Sequence, residues 1–166
     1  VLDKWFEMFP NREGINLHWD YWMKGNICLR NDSAVNLSPE QYKEFSLDYD
    51  KEVLEYYGGG MLHYCGKGDH FIGLATDCEH LTSVNLSQPH LNNMDKVYEA
   101  TVLKGKKLLD LTPAACTEYA TRNDAKKGMF FWKQIVNSGK EGCFARRSIV
   151  QCIVKKKPPK GGKGVH

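Results

Sequence analysis

Short apolar runs alternate with amphipathic stretches along most of this chain, and this alternation restricts the possible folds more than any other feature. Short apolar runs are typical of strands and the stretches between them are typical of helices, so the pattern is that of successive β/α units. Five strands are predicted, at residues 25–30, 61–65, 81–86, 107–111 and 148–154. The chain of 166 residues is long enough for one ordinary α/β domain, which we place at residues 1–154.

Ser38 marks the clearest helix start in the chain. Its side chain can cap the helix, Pro39 suits the first turn, and Gln41 completes a capping box. The apolar residues that follow are spaced three or four apart and predict one buried stripe, formed by Tyr42, Phe45, Tyr49, Val53 and Tyr56. Further helices are predicted near residues 70–72, over residues 94–100 after an asparagine cap, and over residues 123–138.

The charge of the chain is divided unevenly between the domain and its carboxyl end. The net charge is +3, from 23 basic and 20 acidic residues, but five lysines and no acid follow Val154. Residues 1–154 therefore carry 18 basic and 20 acidic side chains, and residues 155–166 are predicted to be a disordered basic tail. Because this tail has no aromatic residue on which a base could stack, a nucleic-acid partner is not expected.

Several other function classes find no support in the sequence. No run approaches the roughly 18 apolar residues of a membrane span and nothing at the start of the sequence resembles a signal peptide, so no membrane partner is expected. The six cysteines are widely spaced, which favours reduced thiols in a cytoplasmic protein over a disulfide framework. Neither a Gly-x-Gly-x-x-Gly motif nor a P-loop supports nucleotide binding.

The strongest candidate for chemistry is the pair His63 and Cys65. Residues two apart in a strand point to the same face, so both side chains project together, just before a glycine turn. Imidazole nitrogen and thiolate sulfur are ligands that zinc favours, which makes this pair a candidate zinc site. The alternative is a buried cysteine beside a hydrogen-bonded core histidine, because catalytic zinc needs three protein ligands and structural zinc needs four.

Other polar residues follow the ends of the same strands. Asp32 follows the first strand, Asp69 and His70 follow the second, and Asn85 and Gln88 close the third. Each also has an ordinary interpretation as a turn, cap or loop residue. Because the loops after successive strands of a barrel converge on one pocket, these five residues are candidates for one site. The two aspartates and the histidine are the candidate catalytic groups, and the two amides are the candidate substrate-binding groups.

Four segments of the chain, at residues 30–33, 36–40, 59–70 and 85–89, resemble the uroporphyrinogen decarboxylase superfamily. The likeness extends over residues 20–112 and is weaker up to residue 154. Members of this superfamily are single (β/α)8 TIM barrels about twice as long as this chain. The resemblance therefore implies a partial barrel of about five β/α units, taken from the carboxyl-terminal part of such a barrel.

This superfamily has two well-known chemistries. Uroporphyrinogen decarboxylases remove carboxyl groups from a tetrapyrrole without a cofactor, whereas cobalamin-dependent methyltransferases move a methyl group from a corrinoid to a thiol bound on zinc. The methyltransferases bind zinc through a His-x-Cys motif and a later cysteine, and His63 and Cys65 match that motif. The resemblance thus implies a zinc-dependent methyltransferase acting on a small thiol, with a corrinoid or a corrinoid carrier protein as partner. A metal-free decarboxylase and a catalytically inactive barrel fragment are the alternatives.

The later cysteine of the zinc motif has two candidates. Cys152 stands near the carboxyl end of the last predicted strand, on the same rim of a barrel as His63 and Cys65. Cys143 lies in a glycine-rich link before that strand. All ligands must lie within about 2.0–2.3 Å of one zinc ion, and the rim position favours Cys152 as the third metal ligand. A site without a third thiol is the remaining alternative.

Overall fold

Eight strands form two sheets in the described part of the protein, whose structure is a computed structural model covering residues 1–19, 21–111, 129–135 and 147–152. In chain order the strands are β1 (Ile15–His18), β2 (Tyr21–Lys24), β3 (Ile27–Arg30), β4 (Gly60–Tyr64), β5 (Leu81–Leu86), β6 (Lys107–Leu111), β7 (Met129–Ile135) and β8 (Arg147–Cys152). β1 and β2 form an antiparallel hairpin, and the other six strands form one sheet in chain order.

The α-helices of the described residues are α1 (Leu2–Met8), α2 (Pro39–Tyr42), α3 (Asp48–Tyr56), α4 (Ile72–Ala75) and α5 (Met94–Thr101). A π-helical turn, Lys43–Leu47, joins α2 to α3. The predicted capping box is confirmed, because Ser38 accepts the backbone N–H of Gln41 and the Gln41 side chain accepts that of Ser38. Asn93 caps α5 in the predicted manner. None of these helices is both long and apolar enough to cross a membrane.

The central strands confirm the predicted α/β class. β3, β4, β5 and β6 run parallel, and helices connect each neighbouring pair. β7 joins β6 in parallel, and β8 runs antiparallel to β7. Strands are found where they are predicted at residues 25–30, 61–65, 81–86 and 107–111. The carboxyl ends of β3, β4 and β5 therefore lie together at one edge of the sheet.

The helix predicted over residues 123–138 is wrong, because Met129–Ile135 forms β7. This strand contains Phe130, Phe131 and Trp132, and aromatic residues favour strands. β8 does not complete another parallel β/α unit, since only eleven residues separate it from β7. A parallel crossover needs a dozen or more residues, whereas antiparallel neighbours can be joined by a shorter connection.

The two faces of the sheet are covered by different parts of the chain. Because successive side chains of a strand alternate between faces, Leu62 of β4 packs into the core on the helix side, whereas Met61 faces the hairpin. On that second face, β2 contributes Tyr21 and Met23, which are almost fully buried. His63 has the same parity as Met61, so it also lies on the hairpin face of the sheet.

The apolar stripe that the spacing predicts to be buried, on the helical segment after β3, is mostly exposed. Tyr42 is fully buried, but the other four members lie in contact with solvent, namely Phe45, Tyr49, Val53 and Tyr56. The π-helical turn after Tyr42 holds more residues per turn than an α-helix. The later residues are therefore rotated about the helix axis relative to the positions that α-helical spacing predicts. The buried positions therefore continue at Leu47 and Leu54 instead.

Candidate metal centre

Strand pairing brings three metal-ligating side chains together at the carboxyl edge of the sheet. Arg30 at the end of β3 is the register partner of His63 in β4, so Asp32 and Cys65, each two residues further on, lie at one level. The Asp32 carboxylate accepts the backbone N–H of Cys65 at 2.7 Å. Nε2 of His63 lies 3.4 Å from Cys65 Sγ and 3.7 Å from Asp32 Oδ1. The ligating atoms of all three residues lie within 4.8 Å of one another.

Asn85 of β5 determines which nitrogen of His63 is free. The two residues are register partners, and Asn85 Oδ1 lies 2.5 Å from His63 Nδ1. Since an amide oxygen only accepts, Nδ1 donates this hydrogen bond and Nε2 keeps its lone pair toward Cys65 and Asp32. Asn85 is predicted to bind substrate; in the structure it is buried and orients the histidine, and its Nδ2 has no hydrogen-bond partner among the described residues.

Two of the distances among the three ligating atoms fit a zinc ion in a tetrahedral site. Zinc–ligand bonds of about 2.0–2.3 Å place two neighbouring ligands about 3.3–3.8 Å apart in tetrahedral geometry. The distances from His63 Nε2 to Cys65 and to Asp32 both fall in this range. Three protein ligands leave a fourth position open, as in catalytic zinc sites. Asp32, predicted as a catalytic group, is therefore placed as a candidate third ligand.

A hairpin that the sequence pattern did not predict covers one side of this group. Trp19, in the turn between β1 and β2, meets the His63 ring edge-on, with 4.7 Å between ring centroids. The Arg30 guanidinium lies 4.8 Å from the centroid of the Trp19 ring, and its Nη2 is 3.4 Å from His18 Nε2. Burial lowers the pKa of His18, and the neighbouring Arg30 and His63 lower it further, which favours a neutral ring that accepts a hydrogen bond from Arg30.

The structure does not bring the other predicted polar residues to the metal ligands. Asp69 accepts the backbone N–H of Asn93 at 3.3 Å, and a ring nitrogen of His70 lies 2.9 Å from the Leu37 carbonyl. The backbone carbonyl of Gln88 accepts a hydrogen bond from the Asn92 side chain at 2.9 Å, so Asn92 helps to close the loop after β5. These contacts tie neighbouring loops together. The catalytic roles of Asp69 and His70 and the substrate role of Gln88 stay predictions.

Of the two later cysteines predicted as metal ligands, one lies outside the described residues and the other lies in β8. Cys143 lies outside the described residues. The prediction for Cys152 assumes a parallel last strand, but β8 is antiparallel and pairs Cys152 with Phe130, near the start of β7. Phe130 in turn pairs with Leu108, near the start of β6. The register thus places Cys152 toward the amino-terminal edge of the parallel strands, whereas His63 and Cys65 lie at the opposite edge.

The three described cysteines are unpaired and differ in exposure. Cys65 is exposed, Cys78 is buried, and burial raises the pKa of the half-buried Cys28 to about 12. At about pH 8, near the ordinary pKa of a free thiol, we expect iodoacetamide to modify Cys65 well before Cys28 or Cys78, as followed by peptide mass spectrometry. Bound Zn²⁺ should slow the reaction of Cys65 alone. Equal rates at Cys28 and Cys65 would contradict this prediction.

Comparison with known proteins identifies no relative, since no family model, curated protein or solved structure matches this chain. Its function is therefore inferred from the chemistry of Asp32, His63 and Cys65. Nitrogen, sulfur and carboxylate ligands in one group favour zinc over magnesium or calcium, which prefer oxygen ligands alone.

Proposed function

We propose that this protein binds Zn²⁺ through Asp32, His63 and Cys65 and uses the open fourth position to activate a small thiol as a methyl acceptor. The orientation of His63 carries this proposal. Asn85 occupies Nδ1, and Nε2 faces the sulfur of Cys65 at 3.4 Å and the carboxylate of Asp32 at 3.7 Å. The resemblance to corrinoid-linked methyltransferases supports the same His-x-Cys pair and is the source of the methyl-transfer reaction.

The residues of the site set its charge. Bound zinc lowers the pKa of a coordinated thiol, so that the thiol is a thiolate near neutral pH. Cys65 and Asp32 contribute two negative charges and His63 is neutral, so the protein ligands balance the charge of a divalent ion. An incoming thiolate then adds one negative charge. Arg30, the exposed register partner of His63, supplies a positive charge beside the site that offsets this addition.

We further propose that the sheet belongs to a partial TIM barrel. Parallel strands β3 to β6 joined by helices, with the candidate site at their carboxyl edge, agree with the position of active sites in such barrels. The antiparallel β8 departs from the barrel pattern. A corrinoid donor, free or on a carrier protein, follows from the resemblance, and a cytoplasmic location follows from the cysteine pattern. No described residue is assigned to the corrinoid.

A metal-free decarboxylase is the second candidate, and one observation favours it. Arg30 and His18 lie together beside the site, and no carboxylate among the described residues pairs with Arg30. Such a basic pair suits a substrate with carboxylate groups, because guanidinium binds carboxylates well. Metal dependence separates this candidate from the first.

The proposal is tested by loading the full chain with Zn²⁺ or Co²⁺, measuring the bound metal, and then adding a thiol. We expect one ion per chain, and the thiol should change the Co²⁺ absorption spectrum because its sulfur enters the open position. With a methylated corrinoid as donor, methylation of that thiol should require the metal. A chain that binds no metal would contradict the proposal. Decarboxylation that a chelator leaves unaffected would favour the second candidate.

A further inference from the structure

A second polar network lies on the other side of the Asp32 turn from the metal ligands, centred on Asp50 of α3. One oxygen of this carboxylate, Oδ2, accepts from Asn31 Nδ2 at 2.7 Å and from the Tyr42 hydroxyl at 2.8 Å. Ser46 Oγ donates to the same oxygen at 3.3 Å. The π-helical turn between α2 and α3 lies within the segment that holds Tyr42, Ser46 and Asp50, and π-helical turns occur frequently at functional sites.

Asn31 connects this network to the candidate metal site. Its side chain donates to Asp50, and its backbone N–H donates to the carbonyl of His63 at 2.9 Å. The next residue is Asp32, whose carboxylate accepts from the Cys65 backbone. Asn31 is thus bonded on one side to the helix and on the other to the strand that carries the histidine ligand. Any shift of Asn31 would move Asp32 relative to His63 and Cys65.

Stability alone does not explain a carboxylate at position 50. Burial raises the pKa of Asp50, although its hydrogen bonds to Tyr42, Asn31 and Ser46 act in the opposite direction. The folded state therefore holds the proton more tightly than the unfolded state, and ionised Asp50 destabilises the fold as the pH rises through the folded pKa. A charge that costs stability is more readily understood where its hydrogen bonds hold another group in place.

We propose that Asp50 is a positioning residue of the metal site, which acts through Asn31 to hold Asp32 within reach of the ion bound by His63 and Cys65. This inference rests on the proposed metal site. Groups that orient metal ligands typically contribute about 10–100-fold to metal affinity. Asp50 does not contact a metal ligand directly but acts through Asn31, so we expect its effect on metal affinity to lie near the lower end of that range.

The test is Co²⁺ binding to the full chain, measured by affinity and by absorption spectrum for Asp50→Ala, which removes the accepting oxygen, for Asn31→Ala and for the double variant. Each single variant should bind Co²⁺ about 10-fold more weakly and with altered ligand-field bands, since Asp32 is displaced. The double variant should bind no more weakly than Asn31→Ala, because Asp50 acts through Asn31. Tyr57→Phe is the matched control: it removes a tyrosine hydrogen bond to a carboxylate outside this network, that of Asp3, and should leave affinity and spectrum unchanged.

Other outcomes would overturn this inference in distinguishable ways. If Asp50→Ala lowers the melting temperature but leaves Co²⁺ affinity and spectrum unchanged, Asp50 serves packing alone. Additive losses in the double variant would show that Asp50 does not act through Asn31. If Asp50→Ala does not fold, the result for Asn31→Ala is decisive by itself, and unchanged Co²⁺ binding in that variant refutes the inference. A wild-type chain that binds no Co²⁺ refutes the proposed metal site itself, and this inference with it.

Discussion

Replacing Cys65 with serine is expected to lower the affinity for Zn²⁺ by more than about 100-fold, because losing a ligand costs more than losing a group that only orients one. Serine keeps the size of the side chain but removes the sulfur, which is the softest ligand of the site. Cys65 is exposed, so its replacement should change the free energy of unfolding by less than about 0.5 kcal/mol. Competition with a chromophoric chelator measures the affinity, and urea unfolding measures the stability.

Cys28→Ser is the matched control for Cys65→Ser. Cys28 also lies on the hairpin face of the sheet, but among the described residues it belongs to no group of possible metal ligands, so its serine variant should bind Zn²⁺ as the wild type does. Equal affinity of wild type and Cys65→Ser would refute the assignment of the sulfur ligand. Equal losses in both serine variants would point to a general effect of replacing a cysteine on this face.

His63→Ala is a less clean probe of the same site. A position at the end of a strand predicts that this substitution removes zinc at little cost to folding. In the structure, however, His63 is 7% exposed and hydrogen-bonded to Asn85. Removing the ring leaves a buried amide unpaired, which costs about 1–3 kcal/mol. A loss of zinc in His63→Ala would therefore be mixed with a loss of stability, and the exposed sulfur gives the sharper test.

Local signals in the sequence were sufficient to predict the features that depend on residues close together in the chain. The capping box of Ser38 and Gln41 is confirmed because its hydrogen bonds lie within one helical turn. The shared face of His63 and Cys65 follows from strand alternation over three residues, and Nε2 and Sγ do meet at 3.4 Å. In both cases the physics acts over a few residues, so composition and spacing contain it.

Features that depend on contacts between distant parts of the chain could not be predicted from composition and spacing. Asp32 is predicted at this edge of the sheet, but its contact with Cys65 and its distance from His63 depend on the register in which β3 and β4 pair, which no spacing within either strand reveals. Trp19 reaches His63 from a hairpin more than forty residues earlier in the chain. The predicted apolar stripe failed at Phe45 because a single π-helical turn changes the period of the helix, and the sequence pattern alone does not indicate such a turn.

The pairing of β3 with β4, on which the candidate metal site depends, begins at a close approach between two glycine segments. Gly25, in the turn between β2 and β3, has φ of 102°, and a Cβ at this position would run into the backbone of Gly59 and Gly60. This approach sets the start of the register that later places Arg30 beside His63. A side chain at Gly25 must therefore push the two strands apart or shift them.

Gly25→Ala is expected to destabilise the protein by more than about 3 kcal/mol, because it combines an unfavourable positive φ with a collision against backbone. Gly14→Ala is the matched control, since Gly14 also has a positive φ but open space around its Cβ position, and it should cost only about 1 kcal/mol. Urea unfolding measures both variants, and equal losses would mean that the close approach contributes nothing. Where Gly25→Ala still folds, its Zn²⁺ affinity should also fall, because a shifted β3 carries Asp32 away from His63.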